Sequence, residues 1–378
     1  MNVPNKQSKD SWTNRWLSST PGKIIIAALV LALTFFILQQ GYLFLRDSTA
    51  SQAIIVVVAI VWGVGGIGAL FYLTNWVIEL LPGEVGRKLQ PFIFIGPAII
   101  MIGWYLVIPV FRTFILSLKG PLGMEWAGEG LGIFKNYLFV FTDRIMLEAF
   151  RNNLLWMVFG TSLSVSFGLL IAVLADRSRF EKIYKAIIFM PMAISFVGAG
   201  VIWKFMYTYK GEGVGIQEIG LLNAIVLALG GQSQPWLNIP PWNNFFLIII
   251  MVWLQTGYAM VVFSSAIKGI PEELLEAARI DGANEFQVFF RITIPYIKGT
   301  LITVATTIVI FSLKLFDIVR VMTGGNNSTN VIANEFYLQR FTYGNTGRAS
   351  AIAIILLIAV IPVVVSNVRE LNKDRRRF

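Results

Sequence analysis

Neither cysteine nor histidine occurs in the 378 residues, and charged side chains fill only 14% of the positions. The first absence excludes disulfides, thiolate nucleophiles and cysteine metal sites; the second removes the commonest general base and metal ligand. A G-x-x-x-x-G-K-S/T phosphate loop is missing as well, so the chain cannot cradle ATP by that mechanism. With no His, no Cys and no compact set of carboxylates, a nucleophile and its base cannot be assembled. The sequence reads as a non-enzyme.

Apolar side chains are abundant instead, at 56% of positions, more than a soluble domain can bury. Runs near the roughly 20 residues that a helix needs to cross a bilayer recur along almost the whole chain. They predict an all-α polytopic membrane helix bundle of about eight transmembrane spans: Ile24 to Leu45, Ala53 to Leu81, Pro91 to Leu118, Asn152 to Ala175, Ala186 to Tyr207, Phe245 to Ile267, Thr300 to Met322 and Ser350 to Val368. The second run exceeds a single crossing, and its Gly63, Gly65, Gly66 and Gly68 are expected to allow close helix packing.

Lys and Arg concentrate on one side of this layout. Lys6, Lys9, Arg15 and Lys23, then Arg87 and Lys88, Arg177 to Lys185, Lys268 to Lys298, and Arg369 to Arg377 together outnumber those of the alternate connections more than twofold. The positive-inside rule turns this side to the cytoplasm and places both termini there. The net charge of +10 is thereby matched to membrane lipid and not to nucleic acid. The basic N-terminal stretch, followed by a full-length span with no small-residue cleavage site, reads as a retained signal anchor. The outside connections 119–151 and 210–244 are rich in Gly, Trp and Asn and read either as solvated linkers or as partner-contacting loops.

The inside connection between the sixth and seventh spans runs for about 30 residues, far longer than compact connections. From Pro271 it reads Pro-Glu-Glu-Leu-Leu-Glu-Ala-Ala-Arg-Ile-Asp-Gly. Pro271 suits a first helical position, and Glu272 and Glu273 complement the positive end of the helix dipole. Gly282 can take the left-handed conformation that ends the helix, and Asn284 can cap a second one carrying Phe286, Phe289 and Phe290 on one face. Glu276 and Arg279 are spaced to interact with each other or with charges on a partner. This helix-turn-helix elbow either lies on the headgroups or docks against another protein.

Glu276-Ala277-Ala278, then Gly282 after three residues, then Ile292, Ile294 and Pro295 after nine more, resemble the signature loop of the membrane subunits of binding-protein-dependent ABC importers. Ile294 stands where that family usually has Leu. The likeness to the carbohydrate-importer branch extends from Pro91 to the C-terminus. Further matches are Asn136-Tyr137, Phe189-x-Pro191, Phe316-Asp317 and Thr323-Gly324-Gly325. The layout resembles the maltose-transporter subunit with extra N-terminal helices, but with far shorter outside loops, and also the alpha-glucoside and glucosylglycerol importer permeases.

The resemblance implies a type I ABC importer permease core of six helices over 91–378. Residues 1–90 then form a cytoplasmic tail and two additional helices. It implies a multi-pass protein of the bacterial inner membrane that carries a sugar or sugar-like solute. Loop 271–295 becomes a coupling helix docked on an ATPase, with Glu272, Glu276, Ala277, Ala278, Asp281, Gly282 and Pro295 as its contact residues. Its implied partners are a second permease subunit, two ATPase subunits that bind the ATP and Mg, and an extracytoplasmic solute-binding protein. No cofactor is expected on this chain itself.

Polar groups within spans are costly in lipid and face protein or a watery path. In the sixth span Gln255 and Tyr258 supply an amide and a phenol one turn apart, the chemistry a sugar needs. The resemblance carries this stretch over to solute contact, with Leu254 as packing and Ser195 and Ser312 as further candidates. Lys314 and Asp317 lie three apart and can form a helix-packing ion pair or meet solute. The competing function is an ion-coupled secondary transporter with Asp317 as the coupling carboxylate, although no internal repeat accompanies it.

Overall fold

In a computed structural model of the chain, residues 20–79, 83–176, 178–211 and 219–374 are described. Lys6, Lys9, Arg15, Arg177 and Arg375 to Arg377, counted above on the basic side, lie outside the described residues. The chain divides into two compact units, Met1–Pro109 and Val110–Phe378.

The first unit holds α1 (Thr20–Asp47), α2 (Gln52–Glu79) and α3 (Gly83–Ile102). The expected packing role of the α2 glycines is corrected. Of the four, only Gly66 lies against a neighbour, where a Cβ would come within 2.8 Å of Leu38; Gly63, Gly65 and Gly68 face open space. The close approach is at Gly41 of α1, whose Cβ would overlap the Trp62 ring at 1.9 Å. Trp62 also donates its indole N–H to the Leu38 carbonyl at 3.4 Å, so a bulky aromatic on one helix is seated by a missing side chain on the other.

The second unit is built from α4 (Ile108–Ser117) from Val110 onward, α5 (Lys135–Thr142), α6 (Arg144–Leu155), α7 (Thr161–Asp176), α8 (Glu181–Phe189), α9 (Phe196–Met206) and α10 (Leu221–Ala228). These are followed by α11 (Trp242–Lys268), α12 (Glu272–Ile280), α13 (Glu285–Val288), α14 (Lys298–Leu313), α15 (Asp317–Met322), α16 (Ile332–Tyr337) and α17 (Thr346–Asp374). Among the described residues, six helices are long and apolar enough to cross a membrane, or up to eight where each of two bent pairs counts as one span. One bend falls within a span expected to be straight, the fifth. The fifth turns by 101° between Ala193 and Phe196, where Pro191 sits in a 3-10 turn and Ser195 restarts the helix by accepting the Gly198 N–H at 3.0 Å. The second bent pair, Glu285–Tyr296 with Lys298–Leu313, turns by 69° at the N-terminal end of the seventh, which is interrupted separately between Leu313 and Asp317.

Backbone groups freed by a break must be satisfied away from water. Asn153 of α6 does this for α14: its Nδ2 donates to the carbonyls of Ser312 at 3.2 Å and Leu313 at 3.4 Å, while its Oδ1 accepts the Ile332 N–H at 2.9 Å. Nearby, Asn152, Asn243 and Asn244 donate to the carbonyls of the 326–330 loop. The motif Thr323-Gly324-Gly325 serves this loop. Gly325 has φ 91°, and a Cβ on it would stand 2.5 Å from Asn334 Nδ2, so both backbone sign and space demand glycine. Asn136-Tyr137 likewise ties α5 to the end of α4, Asn136 donating to the carbonyls of Ser117 and Lys119 at 2.8 and 2.7 Å.

α11 is the axis of the second unit. Leu247, Ile248, Ile250, Met251, Met260 and Phe263 are all buried along it, and Trp156, Ile308 and Ile318 close the core from neighbouring helices. α7 crosses it at Gly168, where a Cβ would fall 2.4 Å from that of Ala259. Small residue against small residue gives the contact in lipid, where no hydrophobic force draws helices together. The helix crossing holds α11 so that one of its faces is left for a cavity.

Candidate functional site: cavity and elbow

Leu254, Gln255 and Tyr258 of α11 share one cavity of about 190 Å³ with Met192, Ile194, Phe196, Thr307 and Phe311. An adjoining cavity of about 290 Å³ is lined by Phe196, Thr307, Ile310, Phe311, Lys314, Leu315, Phe316 and Asp317. Phe196, Thr307 and Phe311 line both, so the two are compartments of one space at the break points of the fifth and seventh spans. The Phe196 and Phe311 rings lie 4.7 Å apart between centroids and form an apolar partition. Polar groups flank it on both sides: the Gln255 amide and Tyr258 phenol on one, Lys314 and Asp317 on the other, with Thr307 lining both.

Each polar side chain reaches this space for a local reason. Lys314 is the C-cap of α14 and Asp317 opens α15, placing a cation at a helix C-terminus and an anion at an N-terminus, as helix dipoles favour. The two form no ion pair with each other: the break between their helices separates residues that a continuous helix would have placed on one face. Ser195 and Ser312 do not line the space. Ser195 is spent on its cap. Ser312 is fully buried, donating to the Ile308 carbonyl at 2.9 Å and contacting Met251 sulfur at 3.6 Å. Phe196, Thr307 and Phe311 were absent from the sequence expectation. They are ordinary apolar or hydroxyl residues in apolar runs, and only the helix breaks bring them together.

The elbow forms as α12, a turn, and α13. Pro271 stands at the N-cap and not, as expected, at the first helical position. Gly282 has φ 83°. Asn284 accepts the Gln287 N–H at 2.9 Å while Gln287 Oε1 accepts the Asn284 N–H at 2.9 Å, a reciprocal capping box. Arg279 pairs with Glu285 at 3.0 Å across the turn instead of with Glu276. α13 is a single turn that passes into a π turn over Phe289–Thr293, and Phe286 and Phe290 pack ring to ring at 5.6 Å with their faces exposed. Tyr296 donates to the Gly269 carbonyl at 3.3 Å, closing the elbow onto the end of α11. Glu272, Glu276, Ala277, Asp281, Gly282 and Pro295 are exposed and Ala278 half-buried. Leu274, Ile280, Phe286 and Phe290 are exposed apolar residues on the same elbow. The result is a rigid knuckle with acidic and apolar groups presented together, suited to a protein surface. Among the described residues, no group of three or more acidic side chains forms a metal site.

A family model for the inner membrane component of binding-protein-dependent transport systems matches residues 164–377, a range that contains both the cavity and the elbow. The osmoprotective compounds uptake permease protein GgtC of Synechocystis sp. is 52% identical over 283 residues, covering 75% of this chain and 99% of that one. The alpha-glucoside transport system permease protein AglF of Rhizobium meliloti is 43% identical over 337 residues, covering 85% and 98%. Among solved structures, a bacterial ABC transporter involved in the import of the acidic polysaccharide alginate contains a chain with the same fold. Its TM-score is 0.64 at 20% identity, covering 78% of this chain and 97% of that one.

Proposed function

The chain belongs to the family of inner membrane components of binding-protein-dependent transport systems, and from that premise we propose that its divided cavity carries a neutral glucoside or glucosylated polyol across the membrane. It is a multi-pass permease subunit of an ABC importer. The observation that carries the solute class is the partition of Phe196 and Phe311 between two polar compartments. A sugar ring offers an apolar face to aromatic rings and hydroxyls around its edge to amide, phenol, ammonium and carboxylate groups. One cation and one anion, Lys314 and Asp317, leave the space without net charge, which disfavours an anionic cargo.

In this reading the chain hydrolyses nothing and holds no cofactor; ATP and Mg belong to two ATPase subunits. Glu272, Glu276, Ala277, Ala278, Asp281, Gly282 and Pro295 meet one of them through the elbow. A second permease completes the pathway, an extracytoplasmic solute-binding protein delivers the cargo, and both termini face the cytoplasm. The helices within residues 1–90 are an addition to the six-span core. Nucleotide-driven movement of the elbow rocks the helices around the cavity between two openings.

The reading is tested by purifying the subunit from its native membrane in mild detergent, identifying the chains that accompany it, and measuring ATP hydrolysis after reconstitution. A P-loop ATPase, a second permease and a solute-binding protein are expected, with hydrolysis stimulated by glucosides. Stimulation by anionic oligosaccharides alone would overturn the solute class. The repeated absence of an ATPase from a transport-active preparation would overturn the partner assignment.

A further inference from the structure

The elbow end of α11 carries a polar cluster that the cavity does not use. Asp176 ends α7, Glu181 and Lys185 lie on α8, and Ser264 and Lys268 occupy the last turns of α11. Lys185 Nζ sits 2.5 Å from both Asp176 Oδ1 and Glu181 Oε1, and Lys268 Nζ sits 2.5 Å from the same Glu181 oxygen. Ser264 Oγ donates to Asp176 Oδ1 at 2.7 Å and accepts from Lys185 Nζ. Two carboxylates thus meet two ammonium groups. The Lys185–Asp176 half is only 19% and 12% exposed, so it escapes much of the screening that weakens surface pairs.

This cluster lies between the two functional parts of the molecule. Only Gly269 and Ile270 separate Lys268 from Pro271, the cap of α12. At the other end of α8, the backbone of Ile188 and Phe189 lies directly on α11 at Gly257, where a Cβ would come within 2.6 Å of the Ile188 oxygen. Gly257 stands between Gln255 and Tyr258, and the chain leaving α8 supplies Met192, Ile194 and Phe196 to the same cavity. α8 is therefore fastened to α11 at both ends, by charge next to the elbow and by backbone contact next to the cavity.

We propose that Asp176, Glu181, Lys185, Ser264 and Lys268 form an ionic strap that makes α8 and the C-terminal half of α11 move as one body with the elbow, delivering its displacement to the cavity wall. The inference rests on the elbow being the ATPase contact. These are positioning residues and touch no solute. α8 joins α9 through the 101° bend, and without the strap that bend absorbs the motion of α11 before it reaches Met192, Ile194 and Phe196. Coupling of this kind needs contiguous contacts that both sites bias, and the strap and the Gly257 contact supply them.

Because the chain has no cysteine, introduced thiols have no background within it. In the complete transporter reconstituted in proteoliposomes, Lys268→Met and Glu181→Gln are expected to lower the solute moved per ATP by roughly threefold or more. Solute affinity and assembly stay unchanged, and Lys268→Arg keeps wild-type behaviour. Glu181→Cys combined with Lys268→Cys is expected to match the neutral variants when reduced. It should recover wild-type transport per ATP when a flexible bis-thiosulfonate joins the two thiols, since a strap that stays closed throughout the cycle has been replaced by a covalent one. Unchanged transport per ATP in the neutral variants, or turnover arrested by the linker, would overturn the strap. Lys268 is 52% exposed, so its replacement does not threaten folding and decides the matter if Glu181→Gln fails to assemble. A wild-type complex with no solute-stimulated hydrolysis would instead remove the reading of the elbow on which the strap depends.

Discussion

Gln255 and Ser312 are both polar residues in spans, and the structure gives them opposite fates. Gln255 lines the cavity with no side-chain partner among the described residues, whereas the Ser312 hydroxyl is committed to its own helix. Removing a hydrogen-bonding group from a binding site forfeits about 1 to 3 kcal/mol. Gln255→Ala is therefore expected to raise the solute concentration for half-maximal transport roughly tenfold, with the amount of assembled complex unchanged. Ser312→Ala is expected to leave that concentration alone, and the pair of kinetic curves separates cavity from packing. Phe311→Ala removes one side of the aromatic partition and is expected to weaken solute binding by about 1 kcal/mol or more, measured by transport kinetics beside Phe311→Tyr, which keeps the ring. Gln255 and Tyr258 were legible in the sequence because a polar pair one turn apart stands out in an apolar helix; Leu254 entered only through the family resemblance, as packing. Phe196, Thr307 and Phe311 were not legible, because an aromatic or threonine in a span carries no mark of which neighbour it meets.

Elements were legible where length and capping chemistry decide them. The straight spans follow from uninterrupted apolar runs, and the elbow from Gly282 and Asn284, whose left-handed backbone and helix cap hold as expected. The break of the seventh span was hidden because Lys314-Leu315-Phe316 contains neither Pro nor Gly; its cause lies in Asn153, far away in the chain, which satisfies the carbonyls that the break frees. The α7–α11 crossing and the elbow turn make contrasting predictions. Gly168→Val drives a branched side chain into Ala259 and the Met260 backbone and is expected to destabilise the purified subunit by about 1 to 3 kcal/mol, seen as a lower midpoint for thermal unfolding in detergent. Gly282 faces open space, so Gly282→Val strains only the turn through its positive φ. Its expected signature is loss of ATPase association in pull-down with little change in the subunit's own unfolding midpoint.

For the whole molecule, parity of spans matters more than any single contact. GgtC is matched along 99% of its length while covering 75% of this chain, so a sizeable part of this chain has no counterpart in a protein of the same family. Two observations support our proposal that the helices within residues 1–90 are an addition: α1 and α2 pair with each other through Gly41 and Trp62, and both lie outside the residues that the family model matches. Removing two spans leaves an even number, and the basic pair Arg87 and Lys88 then precedes the first remaining span, so the positive-inside rule still directs that end to the cytoplasm. A chain begun at Gly83, preceded only by an initiating Met, is therefore expected to insert in the same orientation, to assemble with its partners and to transport with a solute dependence close to that of the full chain. Cysteine accessibility from either side of the membrane reports the orientation, and proteoliposome uptake reports the transport. An inverted or unassembled product would place α1 and α2 within the working core, because the six remaining spans would then lack what they need to choose a side or to hold a partner.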